Sequence, residues 1–247
     1  MSPVFPDFDL TGRVALVIGC GETGTSLARA LGRACATIIL VDPCGKQLSA
    51  AKARLADEGI AATGIPFDIS GRDQAFDLVR RVVQSHGKVD VLVNAMENFL
   101  GKAAVAITAE EWKRSLHVNL KSVFWACQAA GKHMLEQGEG SIINLSSVAG
   151  ALGFPDCLAF AASKGGVEQL TRTLGVEWIR RGVRVNAIAG WSEGLSGQLG
   201  SSQSDKTPLG RLTTARDFEG LSIYLASPAS AALSGEIIRI DGGYSAQ

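Results

Sequence analysis

Short apolar runs recur along the chain, and each is followed by a segment with helical spacing. Val14–Ile18 is a continuous apolar run, and residues 37–41 form a second, as expected of strands buried on both faces. Residues 64–67, 89–93, 141–145, 183–188 and 236–240 read as further strands. Residues 25–35 place Leu27, Ala30 and Leu31 on one helical face. The same period predicts helices over 47–58, 73–85, 110–136, 160–181 and 214–226, while the Gly- and Ser-rich stretch 190–206 reads as a loop or lid.

Alternation of this kind favours right-handed βαβ crossovers and a parallel sheet covered on both sides. The expectation is an α/β, Rossmann-like doubly wound sheet of about seven strands with helices on both faces. At 247 residues, residues 1–247 are expected to form a single domain. Ligands in such sheets bind beyond the carboxyl ends of the strands, so chemistry is sought there.

Composition narrows the function classes. There are 29 glycines without a collagen period, which suggests tight turns and backbone close to a ligand. Lys+Arg and Asp+Glu are both 24, so no electrostatic footprint for nucleic acid or an anionic membrane is expected. The five cysteines are scattered and form no C-x-x-C pair, which argues against a zinc site or disulfide framework. The first residues lack a basic segment and an apolar core, and no run reaches the length of a membrane span. The expected protein is cytoplasmic, with no metal.

The first predicted strand leads into Gly19, Gly21 and Gly24, a G-x-G-x-x-G opening a helix. Gly19 allows the tight turn, Gly21 lets the backbone approach a pyrophosphate, and Gly24 allows close helix packing. Glu22 and Thr23 complete the turn, whose helix N-terminus offers N–H donors to phosphates. A Gly-rich turn without a ligand is the plainer alternative. Asp42 ends the second strand 18 residues after Gly24. A carboxylate there accepts ribose hydroxyls and repels a 2′-phosphate, which favours NAD(H) over NADP(H), although Lys46 is close by. Asp42 equally suits the start of a turn before Pro43. Asp68 suits a contact to adenine or, with Ser70, a helix cap.

The segments LTGRVALV (10–17), DVLVN (90–94), VNL (118–120), GSIINLSSVAG (140–150), AASK (161–164), VRVNAI (183–188), PLGR (208–211) and DGGY (241–244) span nearly the whole chain. Together they resemble the short-chain dehydrogenase/reductase (SDR) family. The resemblance implies NAD(P)H binding and alcohol–carbonyl chemistry. It also implies a homodimer or homotetramer. It adds Ile69, Asn94, Ala95, Ile188 and Gly190 to the residues expected around the dinucleotide, with Lys164 holding the nicotinamide ribose. The family's catalytic group is Asn, Ser, Tyr and Lys. Asn119, Ser147 and Lys164 match three of these. The tyrosine position, four residues before the lysine, holds Phe160.

Other departures gather at the same cleft. The glycine loop is one residue shorter than is usual in the family. Met96 and Glu97 replace its Ala-Gly, Ala189 replaces a proline, and Gly194 stands where a threonine is usual. Losing a positioned acid/base typically costs about 10²–10⁴ in rate. Tyr224 reads as helix packing and Tyr244 as a subunit contact. Glu97 is a substitute acid, Asp156 a helix cap, Cys157 a small buried residue and His117 structural. Three functions remain open. One is an NAD(H)-dependent oxidoreductase with altered proton delivery. A second is a catalytically silent subunit, alone or in a hetero-oligomer with an active relative. The third is a non-redox lyase or isomerase reusing the cleft. Trp191, Leu195, Leu199, Phe154 and Phe160 suggest an apolar or aromatic small-molecule substrate.

Overall fold

The computed structural model describes residues 6–191, 195, 197 and 204–247. Seven strands form one sheet: β1 Val14–Ile18, β2 Thr37–Asp42, β3 Ala62–Pro66, β4 Val91–Asn94, β5 Gly140–Ser147, β6 Val183–Gly190 and β7 Ile237–Ile240. Their order is β3-β2-β1-β4-β5-β6-β7, and every pairing is parallel. The chain builds outward from β1 in one direction, then returns to add β4 on its other side. That reversal opens a crevice at the carboxyl ends of β1 and β4.

Alternate residues of β1 feed two cores. Val14, Leu16 and Ile18 face one, while Ala15 and Val17 face the other. The first core is covered by α3 (Arg72–His86), α5 (Ser122–Gln137) and α6 (Leu158–Trp178), through Leu78, Val123 and Val167. The second is covered by α1 (Glu22–Arg33), α2 (Gly45–Ala56) and α7 (Glu219–Ala226), through Leu27, Leu48 and Leu225. A two-sided apolar strand therefore has its physical reason here: both faces are buried. Among the described residues, no helix is long and apolar enough to cross a membrane, and no cluster of His, Cys, Asp and Glu suits a metal ion.

The predicted helix over 110–136 is three pieces. α4 (Ala109–Leu116) opens with a reciprocal Thr108–Glu111 capping box and passes through a π turn, His117–Lys121, into α5. Periodicity reads through the π turn because each flanking helix keeps its own apolar face, although the extra residue rotates one against the other by about 100°. α6 begins at Leu158, which puts Phe160 in its first turn. The segment 214–226 divides into a 3₁₀ turn, Ala215–Phe218, and α7. Strand β6 runs two residues further than expected, to Gly190. Neither expected cap forms: Gly71 precedes α3 and Cys157 precedes α6, both without side-chain capping bonds. Asp156 instead takes a left-handed conformation, φ 55°. Most of the predicted lid, including Gly194 and Leu199, lies outside the described residues.

The β1–α1 turn depends on two glycines. Gly19 has φ 100°, and a Cβ there would stand 2.7 Å from the Ala95 carbonyl carbon. A Cβ on Gly24 would overlap the Gly19 carbonyl oxygen. Backbone is thus the obstacle at both positions, so a methyl group cannot be absorbed by a rotamer change. Gly24→Ala is expected to lower unfolding free energy by about 1–3 kcal/mol, measured by urea denaturation, whereas Gly21→Ala, whose Cβ meets nothing within 4 Å, leaves it within about 1 kcal/mol.

Candidate dinucleotide cleft and active site

A cleft of about 560 Å³ lies over the carboxyl ends of β1 to β4. Gly19, Gly21, Thr23 and Gly24 form one wall, and Asp42, Pro43 and Cys44 another. α1 opens at Glu22 with no side-chain cap, so its first-turn N–H groups are available to an anion. Open space beside Gly21 leaves room for that anion to approach the backbone.

Asp42 organises this end of the cleft. Its carboxylate accepts one hydrogen bond from the Cys20 N–H (2.8 Å) and another from the Cys44 N–H (2.7 Å). The second closes the turn at Pro43, while the first ties β2 to the Gly-rich turn. Each carboxylate oxygen keeps a lone pair, so the group can also receive ribose hydroxyls.

Asp68, Ile69 and Ala95 line the same cleft, as does the exposed Glu97. Ile69 is fixed by the Ser122 hydroxyl, which donates to its carbonyl (2.9 Å). Glu22 lies outside the lining, as do Asn94, Ile188 and Gly190. Asn94 is buried and donates to the Asn144 Oδ1 (2.8 Å), bracing β4 against β5. Ile188 belongs to the core, and Gly190 lies hard against the Phe218 ring. Arg114 and His117 also line the cleft, and sequence reasoning missed this. The π turn carries His117 to the cleft and Asn119 into the interior.

Ser147, Phe160 and Lys164 form a second compartment, and none of them lines the cleft. Ser147 ends β5 and its hydroxyl accepts from the Ala149 N–H (3.3 Å). Lys164 is 1% exposed; its Nζ donates to the Leu145 carbonyl (3.0 Å) and stands 5.5 Å from the centre of the Phe160 ring. Asn119 clamps the loop after β4 by accepting from the Asn98 N–H (2.6 Å) and donating to the Asn98 carbonyl (2.9 Å). It also donates to the Ser163 hydroxyl (3.0 Å), which donates to the Phe160 carbonyl (2.6 Å). One asparagine thereby joins the β4 loop to the start of α6.

Aromatic side chains wall this compartment. Phe99 meets Phe160 edge-on, with centroids 5.1 Å apart. Trp191 meets Tyr244 at 4.8 Å and Phe154 at 5.7 Å, and Leu195 is buried beside them. Tyr244 thus packs within its own chain, on a turn that Asp241 holds through the Gly243 and Ser245 N–H groups. Tyr224 packs near Phe8, away from the site.

Burial pushes the Lys164 amine below its ordinary value of 10.5, while the Glu97 charge pulls it partly back. Below the folded-state pKa the amine is charged in both states, and the native state carries the full desolvation cost. As pH rises from there towards 10.5, the native group releases its proton first and the cost fades. Lys164→Met is therefore expected to raise stability most at pH below the folded-state pKa, with a gain that shrinks as pH rises towards 10.5, measured by urea denaturation across pH. Burial also holds the Cys20 and Cys127 thiols near 12, whereas Cys35 and Cys44 are exposed. Iodoacetamide at pH 8 is expected to label Cys35 and Cys44 and to spare Cys20 and Cys127, as read by peptide mass spectrometry.

Residues 23–245 match the family model described as enoyl-(acyl carrier protein) reductase. The chain is 32% identical over 246 residues to a D-threitol dehydrogenase of Mycolicibacterium smegmatis, covering 96% of this chain and 95% of that protein. It is 33% identical over 243 residues to a 3-oxoacyl-[acyl-carrier-protein] reductase of Thermotoga maritima, covering 95% and 98%. Among solved structures, a gluconate 5-dehydrogenase from Burkholderia cenocepacia, in complex with NADP and tartrate, superposes with a TM-score of 0.90 at 32% identity over 98% of both chains. An NAD⁺-bound xylitol dehydrogenase gives 0.87 at 25% identity, covering 95% of this chain and 99% of that one. With the parallel sheet, the glycine turn and these matches in hand, the chain belongs to the short-chain dehydrogenase/reductase family.

Proposed function

We propose that this protein is an NAD(H)-dependent oxidoreductase acting on an alcohol or carbonyl compound, with proton delivery altered by Phe160. The observation that carries the reading is the pairing of a glycine-walled cleft with Ser147, Lys164 and Asn119 beside it. Phe160 takes the family's tyrosine position. The α1 N-terminus and Gly21 suit the pyrophosphate, Asp42 the adenosine ribose, and Asp68 with Ile69 the adenine. The Asp42 carboxylate favours NAD(H) over NADP(H), because a 2′-phosphate would meet a negative charge. When bound, the nicotinamide donates or accepts the hydride.

The chain's own residues then manage the oxygen and its proton. Ser147 donates a hydrogen bond to the reacting oxygen. Lys164 passes a proton through a water in the space that a phenol hydroxyl would fill, and the cleft-lining Glu97 returns it from solvent. Phe160 supplies a ring and no proton. The wall of Phe154, Phe160, Trp191 and Leu195 supports a substrate with an apolar or aromatic frame. We further propose that the chain works as one dinucleotide-binding domain with 190–206 as its substrate lid. Its assembly would be a homodimer or homotetramer, in the cytoplasm.

A second reading, a cofactor-binding subunit without turnover, draws on the complete burial of Ser147 and Phe160. Phe160→Tyr separates the two. Under the first reading, wild type oxidises NADH with a carbonyl substrate and the Tyr variant does so about 10²–10⁴ times faster. Turnover in the Tyr variant alone supports the silent subunit. A failure of NADH to bind either protein overturns both.

A further inference from the structure

Phe99 belongs to both compartments. Its side chain lines the dinucleotide cleft, and its ring packs edge-on against Phe160 on the other side. Ser147, Phe160 and Lys164 are all buried, and none of them lines the cleft. The loop carrying Phe99 is pinned at both ends. Asn119 holds both backbone polar groups of Asn98, and the Lys102 N–H donates to the Asp156 carbonyl (2.7 Å) in the loop before α6. The partition is therefore a fixed backbone bearing one rotatable ring.

We propose that Phe99 is the specificity-determining residue of this site. Its ring partitions the cleft from Ser147 and Lys164, and yields to a compound whose carbonyl or hydroxyl sits on a planar apolar frame. Such a frame takes over the edge-to-face contact with Phe160 that the Phe99 ring gives up. A polyol finds no replacement for water among Phe99, Phe154, Phe160 and Trp191, so each extra hydroxyl buried there is left unpaired. The inference rests on the oxidoreductase reading for its chemistry, but the partition itself is a property of the fold.

The test uses Phe99→Ala, with Phe99→Leu as the control that keeps a bulky apolar group. Lys164 is probed by reductive methylation with formaldehyde and cyanoborohydride, followed by peptide mass spectrometry, and NADH binding is titrated in parallel. Phe99→Ala is expected to raise the methylation rate of Lys164 at least about fivefold. Phe99→Leu is expected to stay near wild type, and the parallel titration reports whether each variant still binds NADH. Equal methylation of Lys164 in wild type and Phe99→Ala overturns the partition. Saturation-transfer NMR on the NADH-loaded wild type then compares acetophenone with D-sorbitol. Saturation of acetophenone alone supports the specificity, while binding of sorbitol, or of neither compound, overturns it. Loss of NADH binding in wild type would defeat the oxidoreductase reading while leaving the methylation result to decide the partition.

Discussion

Everything at the functional edge of this fold depends on one close approach of backbone to backbone. Gly19 brings the end of β1 so near Ala95 that no side chain fits between them, and Gly24 sets α1 directly on Gly19. Asp42 then ties the neighbouring strand to the same turn through Cys20. Together these contacts fix the uncapped start of α1 relative to β2 and β4. The cleft exists because the three elements meet without side chains in the way. It is a consequence of missing atoms as much as of attractive contacts.

The second compartment is built on the opposite principle. Around Phe160 the space is filled, by Phe99, Phe154, Trp191 and Tyr244, and the polar groups are spent on holding backbone in place. Asn119 holds the β4 loop and Lys164 reaches the Leu145 carbonyl. A buried amine is costly when charged, and the Phe160 ring it faces offsets only part of that cost. A cleft open to an anion thus stands beside a filled aromatic cluster, and Phe99 belongs to both.

The fold was legible because its signals are local and repeated: each apolar run forms a strand and each amphipathic run a helix. The glycine turn was legible for the same reason, as strand, turn and helix follow one another within 11 residues of Val14. Phe160 was legible from its spacing to Ser147 and Lys164. What escaped notice comes from contacts between distant segments. The π turn rotates α4 against α5, a shift lost when 110–136 is read as one continuous helix, so His117 and Arg114 were not expected in the cleft. The Asp42–Cys20 bond joins residues on two strands. Phe99 carries no motif, and its place against Phe160 depends on a loop fixed by Asn119. The capping expectations at Ser70 and Asp156 failed because the residues that precede the helices are Gly71 and Cys157, one residue further on, and neither makes a side-chain capping bond.

The central claim is that the cleft at Gly19, Gly21, Gly24 and Asp42 holds NADH, and calorimetric titration tests it most directly. The account predicts saturable binding of NADH at a single site per chain, with NADPH weaker by at least about tenfold because its 2′-phosphate meets the Asp42 carboxylate. Binding of NADPH as tight as NADH would contradict the role given to Asp42. Absence of binding by either nucleotide would contradict the account as a whole.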